Sequence, residues 1–149
     1  MKILKLCMCF LLFWNILCSS AVASDDYLSN KIGTVLSTDI ISMIDYKPIP
    51  SYNINGYTYI MAEELSDYGF DVEWNADKRT LDITRNNCIN ANLNEDILYA
   101  QHVKKNEIGI KIFDVLNTDI QTFLDGKISN SYNVGGQTLI QIDELMQYG

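Results

Sequence analysis

Histidine and basic residues are scarce in this chain, and both scarcities narrow what it can do. A single histidine, His102, leaves little for a hydrolase triad and excludes every multi-histidine metal site. Lys and Arg number 11 against 19 Asp and Glu, a net charge of −8, so a phosphate backbone would be repelled and nucleic acid is not an expected partner. Only one long apolar run exists, between Ile3 and Leu17, which argues against several membrane spans. What remains is 48% apolar and 20% charged over 149 residues, enough for a packed core and unlike a disordered acidic tail.

That one apolar run is placed for export. Lys2 and Lys5 precede or flank it, and the small residues Ser19 to Ala23 follow, ending in an Ala-x-Ala pattern at Ala21 and Ala23. This is the layout of a signal peptide over residues 1–23, with cleavage after Ala23. The competing readings are an anchor helix, for which the run is short, and a lipid-modified Cys18, which has the bulky Leu17 before it. Removal of the segment takes away Cys7, Cys9 and Cys18, leaves Cys88 as the only thiol, and moves the net charge to −10. An exported chain with one cysteine has no internal disulfide and depends on packing.

The remainder is internally duplicated. Residues 31–69 align without gaps on residues 111–149, and 19 of the 39 pairs are identical. The matches include Thr38-Asp39-Ile40 with Thr118-Asp119-Ile120, Ser51-Tyr52-Asn53 with Ser131-Tyr132-Asn133, and Glu64-Leu65 with Glu144-Leu145. The first copy continues through Phe70–Arg85. The second stops at Gly149, so it is expected to be incomplete, either as a fragment of a longer protein or through a premature stop.

Each copy predicts strands over 39–44, 49–54 and 57–61, with a turn at Asp45-Tyr46-Lys47-Pro48 and a tight one at Asn55-Gly56. Met61, Leu65 and Tyr68 share one face of a short helix over 62–68, and Gly69 stops it. Phe70, Val72 and Trp74 alternate with acidic residues, and the turn 75–79 returns the chain to Leu81 and Ile83. The expected fold is therefore α+β: antiparallel β-β-β-α-β-β repeat units in tandem, module 1 over 31–85, a linker over 86–110 and an incomplete module 2 over 111–149 that lacks the last hairpin. The linker is asparagine-rich, with one short helix expected around Asp96–Val103, and its length favours beads on a string over one fused core.

The Asn-Gly turn, the Tyr-Thr-Tyr-Ile strand of residues 57–60, the helix ending at Gly69 and the segment Phe70–Arg85 together resemble the copper amine oxidase N-terminal-like domain, a repeat module of exported proteins from low-GC Gram-positive bacteria. Gly56, Thr58, Leu65, Gly69 and Trp74, then Gly136, Thr138, Leu145 and Gly149, carry that signature. The commoner form has Val-Pro after the threonine, where this chain has Tyr59-Ile60-Met61. The resemblance implies a non-catalytic module of cell-surface or wall-associated proteins. It implies no amine oxidation, which belongs to a different, larger domain with three histidine ligands.

Chemistry-bearing groups are few. His102 and Cys88 are too isolated for copper, and no cofactor or metal is expected. Asn75 and Asp77 have the spacing of a calcium turn, but they are read as a turn stabilised by its own Asx side chains. Asp39, Asp119, Glu64 and Glu144 recur in both copies and are read as strand-start and helix-dipole residues rather than a catalytic pair. Tyr46, Tyr57 and Tyr59 are candidate exposed binding aromatics; Tyr46 and Tyr57 become Gly126 and Gln137 in the second copy, so they are not needed for packing. Trp74 is assigned to the core with Phe70 and Val72, and Tyr52 and Tyr132 to structure. Cys88 is a chance exposed thiol or the handle for an intermolecular disulfide, and a dimer through Cys88 or the incomplete repeat is open.

These features describe a secreted, non-enzymatic repeat protein acting as a cell-surface spacer or interaction module, with a cell-wall glycan or a surface protein as its partner. The alternative is an accessory segment of a larger exported enzyme whose catalytic domain lies beyond Gly149.

Overall fold

The computed structural model of the chain describes residues 30–89 and 107–148. The expected signal segment, the expected helix around Asp96–Val103, His102 and Gly149 lie outside the described residues.

Among the described residues, twelve strands and two short 3₁₀ helices follow in order. The first part contains β1 (Lys31–Ser37), β2 (Ser42–Ile44), β3 (Lys47–Ile49), β4 (Tyr52–Ile54), β5 (Tyr57–Met61), η1 (Ala62–Asp67), β6 (Tyr68–Asn75) and β7 (Thr80–Ile89). The second contains β8 (Lys111–Leu116), β9 (Gln121–Leu124), β10 (Lys127–Ser129), β11 (Ser131–Asn133), β12 (Thr138–Gln141) and η2 (Ile142–Tyr148). The described residues are mostly β, and antiparallel pairing dominates.

Local chemistry accounts for the boundaries. Asn55 and Gly56 both sit at positive φ (52° and 89°), the backbone of the two-residue turn that joins β4 to β5. The expected strand over 49–54 is split, because β3 belongs to a hairpin with β2 while β4 pairs with β1 and β5. Pro50, which has no N–H to offer a ladder, stands at the break. The segment Lys31–Ser37, for which no strand was expected, forms β1. The expected helix over 62–68 is a 3₁₀ turn of six residues, and the expected linker start at residue 86 is still β7.

Strands of the two halves close one six-stranded barrel in the order β1-β4-β5-β12-β11-β8. The beads-on-a-string arrangement expected from the 86–110 spacing is thereby overturned. A three-stranded sheet from either half would leave two open edges, and mutual pairing removes them. Thr34 faces Asp114 in the β1–β8 pair, and Ile60 faces Ile140 in the β5–β12 pair. Both pairs join residues 80 apart, so each pairing is centred on a position and the residue aligned with it in the sequence.

Alternation along β5 and β12 sorts two cores. Tyr59, Met61 and Leu139 join Val35, Ile54, Val115 and Val134 in one cluster, which the barrel strands enclose. Ile60 and Ile140 point the other way, into a second cluster with Leu65, Phe70, Leu81, Ile83, Leu124 and Leu145. That second cluster lies beneath the hairpin β6–β7. Strand β7 pairs in parallel with β9, so a hairpin of the first half completes the sheet β10-β9-β7-β6 begun by the second. Tyr68 reaches across to donate its hydroxyl hydrogen to the carbonyl of Pro48.

Because no half closes alone, the described fold should unfold in one step. Ile60→Ala is expected to cost about 2–5 kcal/mol, the range for deleting a buried aliphatic side chain. Urea transitions followed by Trp74 fluorescence, in the first half, and by amide exchange at Leu139, in the second, should shift together. Separate midpoints would show two independently folding units.

Candidate binding groove

The hairpin β6–β7 stands away from the barrel wall and leaves a groove of about 410 Å³ between them. Val72, Trp74 and Leu81 form its hairpin side. Ile120, Asn133, Gly136 and Thr138 come from the second half, and Glu63 joins the lining from η1. The volume falls in the range of small-ligand sites, about 300–1,000 Å³.

Burial along β6 explains how Trp74 arrives there. Phe70, Val72 and Trp74 share a face, with Val72 opposite Ile83 and Trp74 opposite Leu81 in the register. Phe70 is fully buried, Val72 half-buried, and Trp74 remains 50% exposed, because the hairpin tip runs past the edge of the core. Trp74 is therefore not a core residue as the alternation predicted. Alternation specifies which face a side chain occupies, but not how far the core extends beneath it. At the tip, the Lys78 amide donates to Asn75 Oδ1 at 3.0 Å, so the candidate calcium turn is capped by its own Asx side chain. Among the described residues no cluster of metal-ligating groups occurs.

Two neighbouring carboxylates shape the electrostatics. Glu63 Oε1 accepts the Thr138 amide at 2.9 Å, while its Oε2 is buried with no partner among the described residues. Burial pushes its carboxyl above the ordinary 4.5, and the hydrogen bonds from its own amide and from Thr138 partly oppose this. Glu64 is also raised, first by burial and then by the charges of Glu63 and Asp67, and its Oε2 too is unpartnered among the described residues. The two halves differ at this carboxylate. Glu144, the counterpart of Glu64, accepts from the amide and side chain of Asn130. The position equivalent to Asn130 is Pro50, which has no N–H to give.

The hairpin that forms one wall is fastened by Arg85. Its guanidinium pairs with Asp45 at 2.7 Å, with both side chains mostly buried, and lies 5.0 Å from the Phe70 ring centre. Its amide donates to Asp125 Oδ1 at 3.2 Å. Asp45 and Asp125 are counterparts 80 residues apart, so one residue ties the equivalent turns of both halves. Arg79 adds an ion pair to Asp119 at 2.7 Å.

The other expected site residues are dispersed. Tyr46 is 99% exposed at the tip of the β2–β3 turn, at a φ of 63° unusual for a bulky residue, and Tyr57 is exposed beside the β4–β5 turn. Tyr59, expected to be exposed, is 5% exposed and meets Tyr132 in a tilted ring contact with centres 5.4 Å apart. None of the three lines the groove. Of the repeat signature, Gly136, Thr138 and Trp74 do, while Leu65 and Leu145 are buried and Gly56 and Gly69 take positive φ. Thr58 is half-buried in β5. Glu63, Ile120 and Asn133 were not singled out from the sequence, because the groove exists only where one half lies against the other. Asp39 and Glu64 do not face a second carboxylate across this groove, whose lining holds Glu63 alone. Cys88 is an exposed free thiol near the end of β7. Among the described residues no helix is long and apolar enough to cross a membrane.

Comparison with protein families, characterised proteins and solved structures finds no match.

The raised carboxyls fix a pH dependence. Each binds its proton more tightly folded than unfolded, so its stabilising contribution is full below about 4.5 and is lost as pH rises through the folded value. Thermal midpoints should therefore fall as pH rises above about 4.5 through the raised folded values. Glu64→Gln should raise the midpoint at pH 7 and flatten that fall, as read by calorimetry. An unchanged slope would show that Glu64 is solvated.

Proposed function

We propose that the chain is a non-catalytic binding module of an exported cell-surface protein, and that a wall glycan is held in the groove beneath Trp74. The observation that carries this reading is a half-exposed tryptophan set among Val72, Leu81 and Ile120, directly beside hydrogen-bonding groups. An aromatic face with polar groups at its rim suits a sugar ring, which is apolar on its faces and hydroxylated at its edge. Glu63, Asn133 and Thr138 supply an acceptor carboxylate, an amide and a hydroxyl there.

The export segment in residues 1–23 and the resemblance to the copper amine oxidase N-terminal-like domain both support a surface-associated role. In this reading, residues 31–85 and 111–149 are two copies of one α+β unit, the second without its last hairpin, interlocked rather than strung. The groove takes its walls from both copies, so the duplication supplies one composite site instead of two identical ones.

Trp74 is the only tryptophan outside the first 23 residues, which makes it the natural reporter. Titration with soluble peptidoglycan fragments should shift its emission, and Trp74→Ala should weaken binding at least tenfold by calorimetry, with an unchanged circular dichroism spectrum. Tyr46→Gly should leave binding unaltered, since Tyr46 does not line the groove. Equal affinity of Trp74→Ala and the parent, or no binding of wall fragments, would overturn the assignment.

A further inference from the structure

The correspondence between the two halves is broken at one place. Strand β9 carries β10 on one side and β7 on the other, whereas its counterpart β2 carries only β3 among the described residues. The Gln121 amide donates to the Arg79 carbonyl and the Asp125 amide to the Ile83 carbonyl, at 3.1 and 2.8 Å. With Asp82 opposite Phe123, the Phe123 amide falls into the same series. The equivalent amides belong to Ile41, Met43 and Asp45, and no strand lies along them among the described residues. Met43 faces Pro48 across the β2–β3 ladder, a residue with no N–H, so the peptide groups of Met43 are aimed outward at that edge.

Side chains repeat the asymmetry. Asp119 is held by Arg79, whereas Asp39 has no ion pair among the described residues. Ile40 and Met43 are 47% and 51% exposed, while Ile120 and Phe123 are partly covered by the docked hairpin. A further cavity of about 90 Å³, open to solvent, is lined by Met43, Ile44, Leu145 and Tyr148 together with Phe70 and Arg85.

We infer that the outer edge of β2 is an acceptor for a β-hairpin of the β6–β7 pattern, supplied by another unit of this kind and added in parallel as β7 is added to β9. A second copy of the chain in this same form has no such hairpin to give, because its own is already docked on its own β9. The occupant is instead a hairpin of apolar-x-apolar-x-Trp pattern whose arginine, at the place of Arg79, meets Asp39. Its arrival would cover Ile40 and Met43. It would also build a second groove against Asn53, Gly56 and Thr58, the counterparts of Asn133, Gly136 and Thr138.

The test uses the full chain and a synthetic peptide of residues 69–86, read by NMR amide exchange. Saturating peptide should slow exchange at least tenfold at Ile41, Met43 and Asp45. A peptide carrying Ile83→Pro should give no such protection, because it lacks the amide that on β9 points at the Phe123 carbonyl; this control leaves the protein itself untouched. Asp39→Asn in the protein should weaken the parent peptide severalfold and reduce its salt dependence. Three results would overturn the inference. One is no protection at millimolar peptide, and another is equal protection by the Ile83→Pro peptide. The third is protection of these amides in the protein alone, which would mean that another part of the chain or a second copy already holds the edge.

Discussion

Closure of the barrel is the constraint from which the rest of the structure follows. Three short strands from one half cannot close on themselves, and their outer members, β1 and β5, would present unpaired amides and carbonyls. Pairing β1 with β8 and β5 with β12 consumes all four exposed edges at once. The Ile60–Ile140 pair lies at the centre of one seam and points its side chains into the outer core, where η1, η2 and the hairpin assemble. The barrel, the outer core and the groove thus share one dependence on contact between sequence segments 80 residues apart.

The hairpin β6–β7 turns this near-symmetric frame into an asymmetric object. It crosses from the first half to β9 of the second and is tied down by Arg79 to Asp119 and by Arg85 to both Asp45 and Asp125. Its tip overhangs the core, so Trp74 is half in water and a groove opens below it. Smaller departures from symmetry have local costs. Pro50 has no N–H to give Glu64 in the way that Asn130 donates to Glu144, and Tyr46 occupies the left-handed backbone position that Gly126 fills without strain.

Much of the local structure was legible in the chain. The Asn55-Gly56 turn, the β5 strand, the hairpin around residues 75–79 and the duplication itself follow from residue types and spacing, because turns and alternation are set by neighbours within a few positions. The site was much less legible. Tyr59 resembled Tyr46 and Tyr57 in sequence yet lies in the barrel, because the alternation of β5 places residues 59 and 61 on the enclosed face. Trp74 looked like core because its face is the core face of β6, and only the length of the hairpin relative to the cluster beneath it exposes the ring.

The sequence by itself determined strand β5, the β6–β7 hairpin, the tight turns, the acidic charge and the repetition of one pattern at a spacing of 80 residues. All of these depend on short-range sterics or on composition. Whether the two copies would stand apart or interlock was decided only by tertiary structure, because an unpaired strand edge carries no information about which distant edge will satisfy it. The same choice placed β7 beside β9, left β2 with β3 as its one strand partner among the described residues, and made a groove from residues that no local pattern connects.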